Sequence, residues 1–158
     1  MPNEFRGDLS HASPARFAII VSRYNESITS KLLSGALETL AAHGVADDAI
    51  DVARVPGAWE IPLVAQRWTM SRRYAAVICL GAVIRGETTH DQHINRQVSH
   101  SLGQIALESG VPVLFGILTC NTLEQAIHRS GGNAGHKGVE CAEAAIEMAS
   151  LLAKLPKN

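Results

Sequence analysis

The sequence has few of the features that direct a protein to a membrane, to nucleic acid or to a disulfide scaffold. Its longest apolar run, Ala75 to Leu80, is far too short to cross a bilayer. The polar stretch Met1 to Ala15 contains no apolar core, so we expect no secretory signal. The three cysteines, Cys79, Cys120 and Cys141, are widely spaced, which favours neither a disulfide framework nor a CxxC metal site. The net charge of -1 provides no basic field for nucleic acid. We therefore expect a cytoplasmic protein with reduced thiols and with neither membrane nor nucleic-acid partners.

The composition is that of one folded domain. Hydrophobic residues make up 46% and charged residues 18% of the 158 residues, as in globular rather than disordered chains. The length suits one domain, and we find no internal repeat, linker or low-complexity tract. We predict a single domain over residues 1–158, in which residues 1–15 form an extended N-terminal segment.

Apolar runs rich in β-branched residues alternate with stretches of helical periodicity. Strands are predicted at 17–22, 50–55, 75–84 and 113–118, and helices at 28–43, 58–72, 91–109, 123–129 and 139–154, with a glycine-rich break at 131–138. Continuous apolar strands indicate a sheet covered on both faces. Alternation with short connections indicates parallel pairing through right-handed crossovers. The sequence thus predicts an α/β three-layer sandwich, with a four-stranded parallel sheet of flavodoxin-like order 2-1-3-4 and helices on both faces.

In open parallel sheets ligands bind beyond the carboxyl ends of the strands. Residues 81–90, which follow the third predicted strand, are the most informative of the segments there. Gly81 and Gly86 would let the backbone approach a ligand, and the helix that follows presents N–H groups to an anion. Thr88 and Thr89 add hydroxyls, although glycine and threonine before a helix also describe an ordinary N-cap. There is no GxGxxG motif, and no Lys-Ser/Thr pair that would make a Walker loop. The segment predicts a site for a small phosphorylated molecule.

His90 stands beside this predicted anion site. Its ordinary pKa lies near neutrality, so it can take up and return protons, although a solvated histidine in a first helical turn is the alternative. His90, Asp91 and His93 also raise a metal hypothesis, because His90 and His93 are three residues apart and could share a metal ion. Because no third or fourth ligand follows at a recognisable spacing, we expect no metal, and a metal hydrolase stays an alternative hypothesis.

Only 4% of the residues are aromatic, yet two rings follow predicted strands. Tyr24 and Trp59 offer flat surfaces for a planar heteroaromatic ligand, and Glu60 can accept hydrogen bonds from hydroxyl groups. The alternative for Trp59 is a core anchor of its own helix. Arg129 and Lys137 flank the glycine-rich break as solvated cations near helix ends, or as ligands of a phosphate and an anionic ring. In the second case their distance from the strand ends implies that they reach a neighbouring subunit's site.

Together these motifs resemble the 6,7-dimethyl-8-ribityllumazine synthase family over about residues 4–148. The stretches that carry the resemblance are RYN at 23–25, ITSKLL at 28–33, VPGAWEIP at 55–62, GAVIRGETTH at 81–90, PVLFGILT at 112–119 and AGHKG at 134–138, with Arg129 between the last two. It implies a transferase of riboflavin biosynthesis. The reaction condenses 5-amino-6-(D-ribitylamino)pyrimidinedione with 3,4-dihydroxy-2-butanone 4-phosphate and yields 6,7-dimethyl-8-ribityllumazine, phosphate and water. No cofactor is implied, because the two substrates form the Schiff base between themselves. A non-catalytic carrier of lumazine or flavin on the same scaffold is the alternative.

The resemblance also implies residue roles. His90 would be the proton shuttle, and Glu87, Thr88 and Arg129 would bind the phosphate. Contacts with the pyrimidine and its ribityl chain are implied for Tyr24, Ala58, Trp59, Glu60, Ala82, Val83, Ile84, Phe115 and Lys137. Phe115, Arg129 and Lys137 would come from the adjacent subunit.

The implied assembly is a homopentamer, with an icosahedral shell of twelve pentamers and an association with riboflavin synthase as further expectations. The N-terminal segment 1–15 would contact a neighbouring subunit. Three departures from the family pattern stand out. Tyr24 replaces a more usual Phe or Trp, Asp91-Gln92-His93 follow His90 where an aromatic is frequent, and His136 replaces a commoner Asn.

Overall fold

A four-stranded parallel sheet lies at the centre of the computed structural model, which describes residues 1–10 and 15–157. The strands are β1 (Phe17–Ser22), β2 (Ile50–Val55), β3 (Ala76–Ile84) and β4 (Val113–Cys120). All neighbouring strands run parallel, in the order β2-β1-β3-β4. The predicted α/β sandwich and its strand order 2-1-3-4 are confirmed.

Five helices connect and flank the strands. They are α1 (Glu26–Ala42), α2 (Ile61–Met70), α3 (His90–Ser109), α4 (Leu123–Arg129) and α5 (Lys137–Lys154). The element types were predicted correctly, and the differences lie at the boundaries. Residues Ala58–Glu60 form a separate 3-10 turn before α2, whose first turn contains Pro62. Proline is favoured in a first helical turn because it lacks an N–H group, and this is why α2 begins later than the periodicity suggested.

The glycine-rich break contains a short element of secondary structure. Ser130–Gly132 (β5) and Gly135–His136 (β6) pair antiparallel as a small hairpin, which the sequence reading missed. Gly131 and Gly135 have φ angles of 111° and 102°, a region that side-chain-bearing residues rarely adopt. Glycine here allows a tight hairpin between α4 and α5.

Two apolar clusters cover the two faces of the sheet. Alternate residues of β1 point to opposite faces, so that Ile19 packs with α1 and α5 while Ile20 packs with α2. The strands β1 and β3 are buried almost throughout, as continuous apolar runs predict, whereas the edge strand β2 is partly exposed. Each fully buried Ile or Leu contributes roughly 1.5–3 kcal/mol through removal of apolar surface from water. The two-sided core therefore holds the strand ends in fixed register.

The N-terminal residues lie along the end of α5. Lys154 Nζ donates to Asp8 Oδ2 at 2.8 Å and to the backbone oxygen of Arg6 at 2.9 Å. The hydrogen bond from Lys154 holds the pKa of Asp8 well below its usual range. Residues 11–14 of the predicted N-terminal segment lie outside the described residues, and its contact with a neighbouring subunit stays a prediction.

Two further features bear on the sequence expectations. No helix in residues 1–10 and 15–157 is long and apolar enough to cross a membrane. Cys79, Cys120 and Cys141 are all buried and free, and burial raises the pKa of Cys141 to about 11. Burial also raises the pKa of Cys79, and thiols with a raised pKa are poor nucleophiles and poor metal ligands, because both roles require the thiolate.

Candidate active site

Two adjoining pockets lie at the carboxyl end of the sheet, as expected for a parallel α/β fold. The first, which we call the strand pocket, has a volume of about 290 Å³ and runs along Ala82, Val83 and Ile84 of β3 to Gly86 and Thr88. The second, the tryptophan pocket, has a volume of about 450 Å³ and is lined by Gly57, Trp59, Glu60 and His93. Both pockets share four lining residues: Tyr24, Ala58, His90 and Ile94. The two pockets therefore form one bilobed site with His90 and Tyr24 at the junction.

Tyr24 is held by the loop between β1 and α1. Its backbone N–H donates to the Pro56 oxygen at 2.9 Å, and Asn25 Nδ2 donates to the Ala82 oxygen at 3.0 Å. These bonds tie the loop to the segments that end β2 and β3. Asn25 adopts a left-handed conformation with a φ angle of 64°, which asparagine tolerates better than most residues. The loop therefore presents Tyr24 at a defined place while 65% of that residue stays exposed.

Gly57 makes room for the Tyr24 ring. A Cβ atom at residue 57 would lie 2.6 Å from Tyr24 Cδ2, so a side chain there would displace the ring. The Gly57 N–H also donates to Glu60 Oε1 at 3.0 Å, which fixes one oxygen of that carboxylate at the start of the 3-10 turn. Trp59 is 57% exposed, so it is not a core anchor. Its ring is available to a ligand in the tryptophan pocket.

The segment between β3 and α3 carries the histidine. Residues 85–90 are exposed, and Thr88 Oγ1 accepts a hydrogen bond from the His90 N–H at 3.3 Å. Thr89 is the N-cap of α3 and its side chain makes no capping bond, so the hydroxyl that accepts from the helix start is that of Thr88. Gly86 has open space beside it, as a close backbone approach requires. Gly81 differs from our expectation: it lies inside β3, where a Cβ would be 3.0 Å from Ser22 Oγ, and it serves packing rather than ligand approach.

Two polar atoms near this segment lack partners. Within the described residues, Asp91 Oδ1 and Asn95 Oδ1 are buried and accept no hydrogen bond. They lie one turn apart on α3, and Asp91 lines the strand pocket. A buried acceptor without a donor is costly and is frequently satisfied by a ligand or a water.

Asp91, His93 and Ile94 were not predicted as substrate-binding residues, although they line the site. Helical spacing could have identified two of them, because residues three and four positions after His90 share its face of α3. Asp91 carried no such signal. From the sequence it was named only in the metal hypothesis, with His90 and His93, and as a departure from the family pattern.

Four predicted site residues line neither pocket within the described chain: Glu87, Phe115, Arg129 and Lys137. Phe115 is paired with Cys79, three positions before Ala82 along the sheet, and is 39% exposed. Lys137 begins α5, which packs with α1 on the face of the sheet opposite α3. The predicted roles of these residues, including the neighbour's contribution, stay predictions.

The described residues contain no group of three or more His, Cys, Asp or Glu side chains arranged to hold a metal ion. His90 and His93 do line the tryptophan pocket together, as their spacing suggested. Their neighbours in that pocket are aromatic, apolar or the single carboxylate Glu60. The pocket thus presents rings and isolated polar groups to an organic ligand.

Comparison with known proteins gives a consistent result. The sequence profile described as 6,7-dimethyl-8-ribityllumazine synthase matches residues 14–153. A protein of Desulfotalea psychrophila with the name 6,7-dimethyl-8-ribityllumazine synthase is 56% identical over 152 residues, which cover 96% of this chain and 97% of the relative.

Proposed function

The chain belongs to the 6,7-dimethyl-8-ribityllumazine synthase family, and we propose that its two substrates meet at the junction of the strand and tryptophan pockets. The enzyme is a transferase of riboflavin biosynthesis. It condenses 5-amino-6-(D-ribitylamino)pyrimidinedione with 3,4-dihydroxy-2-butanone 4-phosphate and releases 6,7-dimethyl-8-ribityllumazine, phosphate and water. The observation that carries the placement is that His90 and Tyr24 line both pockets.

The pyrimidine stacks on Tyr24, and its ribityl chain enters the tryptophan pocket. Gly57 leaves space for the ring, and Glu60 keeps one oxygen bound to its own loop while the carboxylate lines the pocket. A carboxylate accepts hydrogen bonds from hydroxyls at several positions, which suits a polyol. The backbone of Ala82–Ile84 contacts the edge of the pyrimidine ring.

The butanone phosphate occupies the strand pocket near Gly86 and Thr88. The N-terminus of α3 follows directly, and its positive dipole end favours an anion. Glu87 contributes through its backbone. This arrangement directs the carbonyl of the phosphorylated substrate toward the amine of the pyrimidine.

Catalysis rests on alignment and proton transfer. Imine formation, phosphate elimination and ring closure each require proton movement, and His90 is the histidine that lines both pockets. Positioning two substrates can lower the barrier by about 7–11 kcal/mol, and a placed acid–base adds roughly 10²–10⁴-fold. The reaction needs no metal or organic cofactor, since the substrates form the Schiff base with each other.

Phe115, Arg129 and Lys137 act on the site of an adjacent subunit in a homopentamer. Their support is the position of Arg129 and Lys137 away from the chain's own pockets, and the exposure of Arg129 and Phe115. The shell of twelve pentamers, the association with riboflavin synthase and the N-terminal segment as an intersubunit contact belong to the same proposal. A cytoplasmic location is supported by three buried, free cysteines.

The test combines turnover with particle mass. The purified protein is incubated with both substrates, lumazine is followed by absorbance, and mass is measured by light scattering. We expect turnover in a particle of at least five subunits. Tight binding of ribityl ligands without turnover would indicate a carrier, and a stable, fully active monomer would contradict the shared site.

A mixing experiment tests the shared site directly. We expect His90→Ala and Arg129→Ala subunits each to be nearly inactive when the phosphorylated substrate is limiting. The two variants are then co-assembled in equal amounts. If His90 and Arg129 of one site come from different subunits, about a quarter of the interfaces regain both residues, because random assembly pairs them independently. Activity that stays at the level of the separate variants would contradict the shared site.

A further inference from the structure

We propose that His136 is a positioning residue that holds Arg129 and Lys137 in place for the reaction; this inference rests on the roles proposed above for those two cations. His136 ends the hairpin strand β6 and immediately precedes Lys137. Across the hairpin its backbone pairs with Ser130, which immediately follows Arg129. His136 is therefore next to Lys137 along the chain and lies across the hairpin from the residue that follows Arg129.

His136 caps α5. Its Nδ1 accepts a hydrogen bond from the Val139 N–H at 3.3 Å. This bond satisfies one of the free donors at the helix start and fixes the direction in which α5 leaves the hairpin. Lys137 is the first residue of that helix and is half-buried. Its backbone orientation follows from the cap.

The ring of His136 is seated on α1, at a position that has no side chain. A Cβ atom at Gly35 would lie 2.2 Å from His136 Cε1 and 2.5 Å from Nε2. Gly35 is buried in the middle of α1, where glycine is otherwise a poor helix former. The ring also approaches Gly131, where a Cβ would lie 3.2 Å from His136 Cδ2. The imidazole fills a notch bounded by two glycines.

The contact with α1 extends one turn further. A Cβ atom at Gly138 would lie 2.1 Å from the backbone oxygen of Leu32, so the first turn of α5 rests directly on the α1 backbone. On the other side of the hairpin, Ser130 Oγ donates to the Ala126 oxygen at 2.9 Å and joins the hairpin to the end of α4. The hairpin is therefore located by α4 through Ser130 and by α1 through His136 and Gly138.

The Arg129 side chain is held mainly by contacts within its own helix. It is exposed, and its Nη1 donates to the Gln125 oxygen of its own helix at 3.3 Å. The position of its guanidinium relative to a neighbouring subunit thus depends on the backbone that the hairpin fixes. A shift of about 1 Å in a substrate-positioning group can cost up to about 10²-fold.

The test uses three variants, His136→Ala, His136→Asn and Gly35→Ala, and one double variant, Gly35→Ala/His136→Asn. We expect His136→Ala to raise KM for the phosphorylated substrate about tenfold while kcat stays within about threefold. His136→Asn keeps an N-cap acceptor and should recover most of the affinity. Gly35→Ala should resemble His136→Ala, because the methyl group displaces the ring. In the double variant the shorter asparagine leaves room for the methyl group, so the defect of Gly35→Ala should be largely relieved.

Two controls separate the possible outcomes. Gly103→Ala changes a glycine within α3 that has open space beside it, and it should leave KM unchanged. Arg129→Ala reports on the proposed function: if it leaves KM for the phosphorylated substrate unchanged, the role of Arg129 is wrong. If Arg129→Ala raises KM but His136→Ala and Gly35→Ala lower only the melting temperature, His136 is merely structural and our inference is overturned. Equal defects in Gly35→Ala and in the double variant would overturn it as well.

Discussion

The two ends of the sheet differ in whether a carboxylate there has hydrogen-bond donors. At the amino end, Asp51 accepts hydrogen bonds from Tyr74 Oη at 2.6 Å and from Arg16 Nη2 at 3.1 Å. At the carboxyl end, Asp91 Oδ1 is buried beside the strand pocket and, within the described residues, accepts none. The hydrogen bonds to Asp51 stabilise the fold, whereas the buried Asp91 oxygen is available to a ligand or a water. We therefore propose that the Asp51 contacts at the amino end serve stability and that the carboxyl end serves the chemistry.

The largest effect should follow from the loss of His90. His90→Ala removes the imidazole that lines both pockets, and we expect kcat to fall by roughly 10²–10⁴-fold. Because His90 is exposed, the melting temperature should stay within about 1 °C. Steady-state kinetics and calorimetry measure the two quantities. A large loss of stability would contradict the division between the two ends.

A smaller effect is expected from Gly57→Ala. The backbone at residue 57 is extended, with a φ angle of -138°, so alanine is tolerated there, but its methyl group displaces the Tyr24 ring. The exposed ring can swing away, so we expect KM for the pyrimidine to rise about tenfold without loss of stability. Isothermal titration with the pyrimidine alone measures its affinity independently of turnover, and it should show a similar weakening. Gly103→Ala is the matched control. An unchanged affinity for the pyrimidine in Gly57→Ala would contradict the proposed stacking of the pyrimidine on Tyr24.

At the amino end the expected effect is on stability alone. Tyr74→Phe deletes the hydroxyl that donates to Asp51 and keeps the ring, which packs 5.3 Å from Trp68. A hydrogen bond to a charged group contributes about 1.5–3 kcal/mol, which partial exposure of Asp51 reduces to about 1 kcal/mol. We expect the melting temperature to fall by about 3 °C with unchanged kcat and KM. A kinetic defect would show that the two ends are coupled.

The smallest effect is a dependence on pH. The hydrogen bonds from Tyr74 and then Arg16 lower the pKa of Asp51 from its usual range. A carboxyl whose folded pKa is lowered stabilises the fold above the unfolded pKa of about 3.9, and this contribution is lost as the pH falls through the folded value. The difference in unfolding free energy between the wild type and Tyr74→Phe should therefore be full at pH 7 and shrink below about pH 4. Denaturant unfolding at pH 7 and pH 3 measures this difference in unfolding free energy. If the difference is the same at both pH values, the Tyr74 hydroxyl does not stabilise the fold through ionised Asp51.

Sequence patterns predicted the local parts of this molecule well. The alternation of apolar runs located every strand of the main sheet, and β1 and β2 have the predicted bounds. Tyr24, Trp59 and His90 were predicted to lie beyond the carboxyl ends of the strands, where a parallel sheet binds its ligands, and they do line the pockets there. The β5–β6 hairpin was missed because glycine marks both breaks and hairpins, and two-residue strands carry no periodicity.

The contacts between distant residues could not be inferred in the same way. Arg16 and Asp51 are 35 positions apart and meet only because β1 and β2 pair in register. Gly35 and His136 are separated by most of the chain and meet because α1 and α5 cover the same face of the sheet. Neither pair has a spacing that a local pattern can detect.

Periodicity, turn residues and family motifs lie along the chain, and they were enough to predict the five helices, the four strands of the main sheet and the order of those strands. Only the tertiary structure decided which of the predicted site residues share a pocket, that Asp91 and His93 join them, and that Gly81 packs inside a strand. It also left Arg129 and Lys137 away from the pockets of their own chain. The physical reason is that side-chain distances depend on how helices pack across both faces of the sheet, which no local segment specifies.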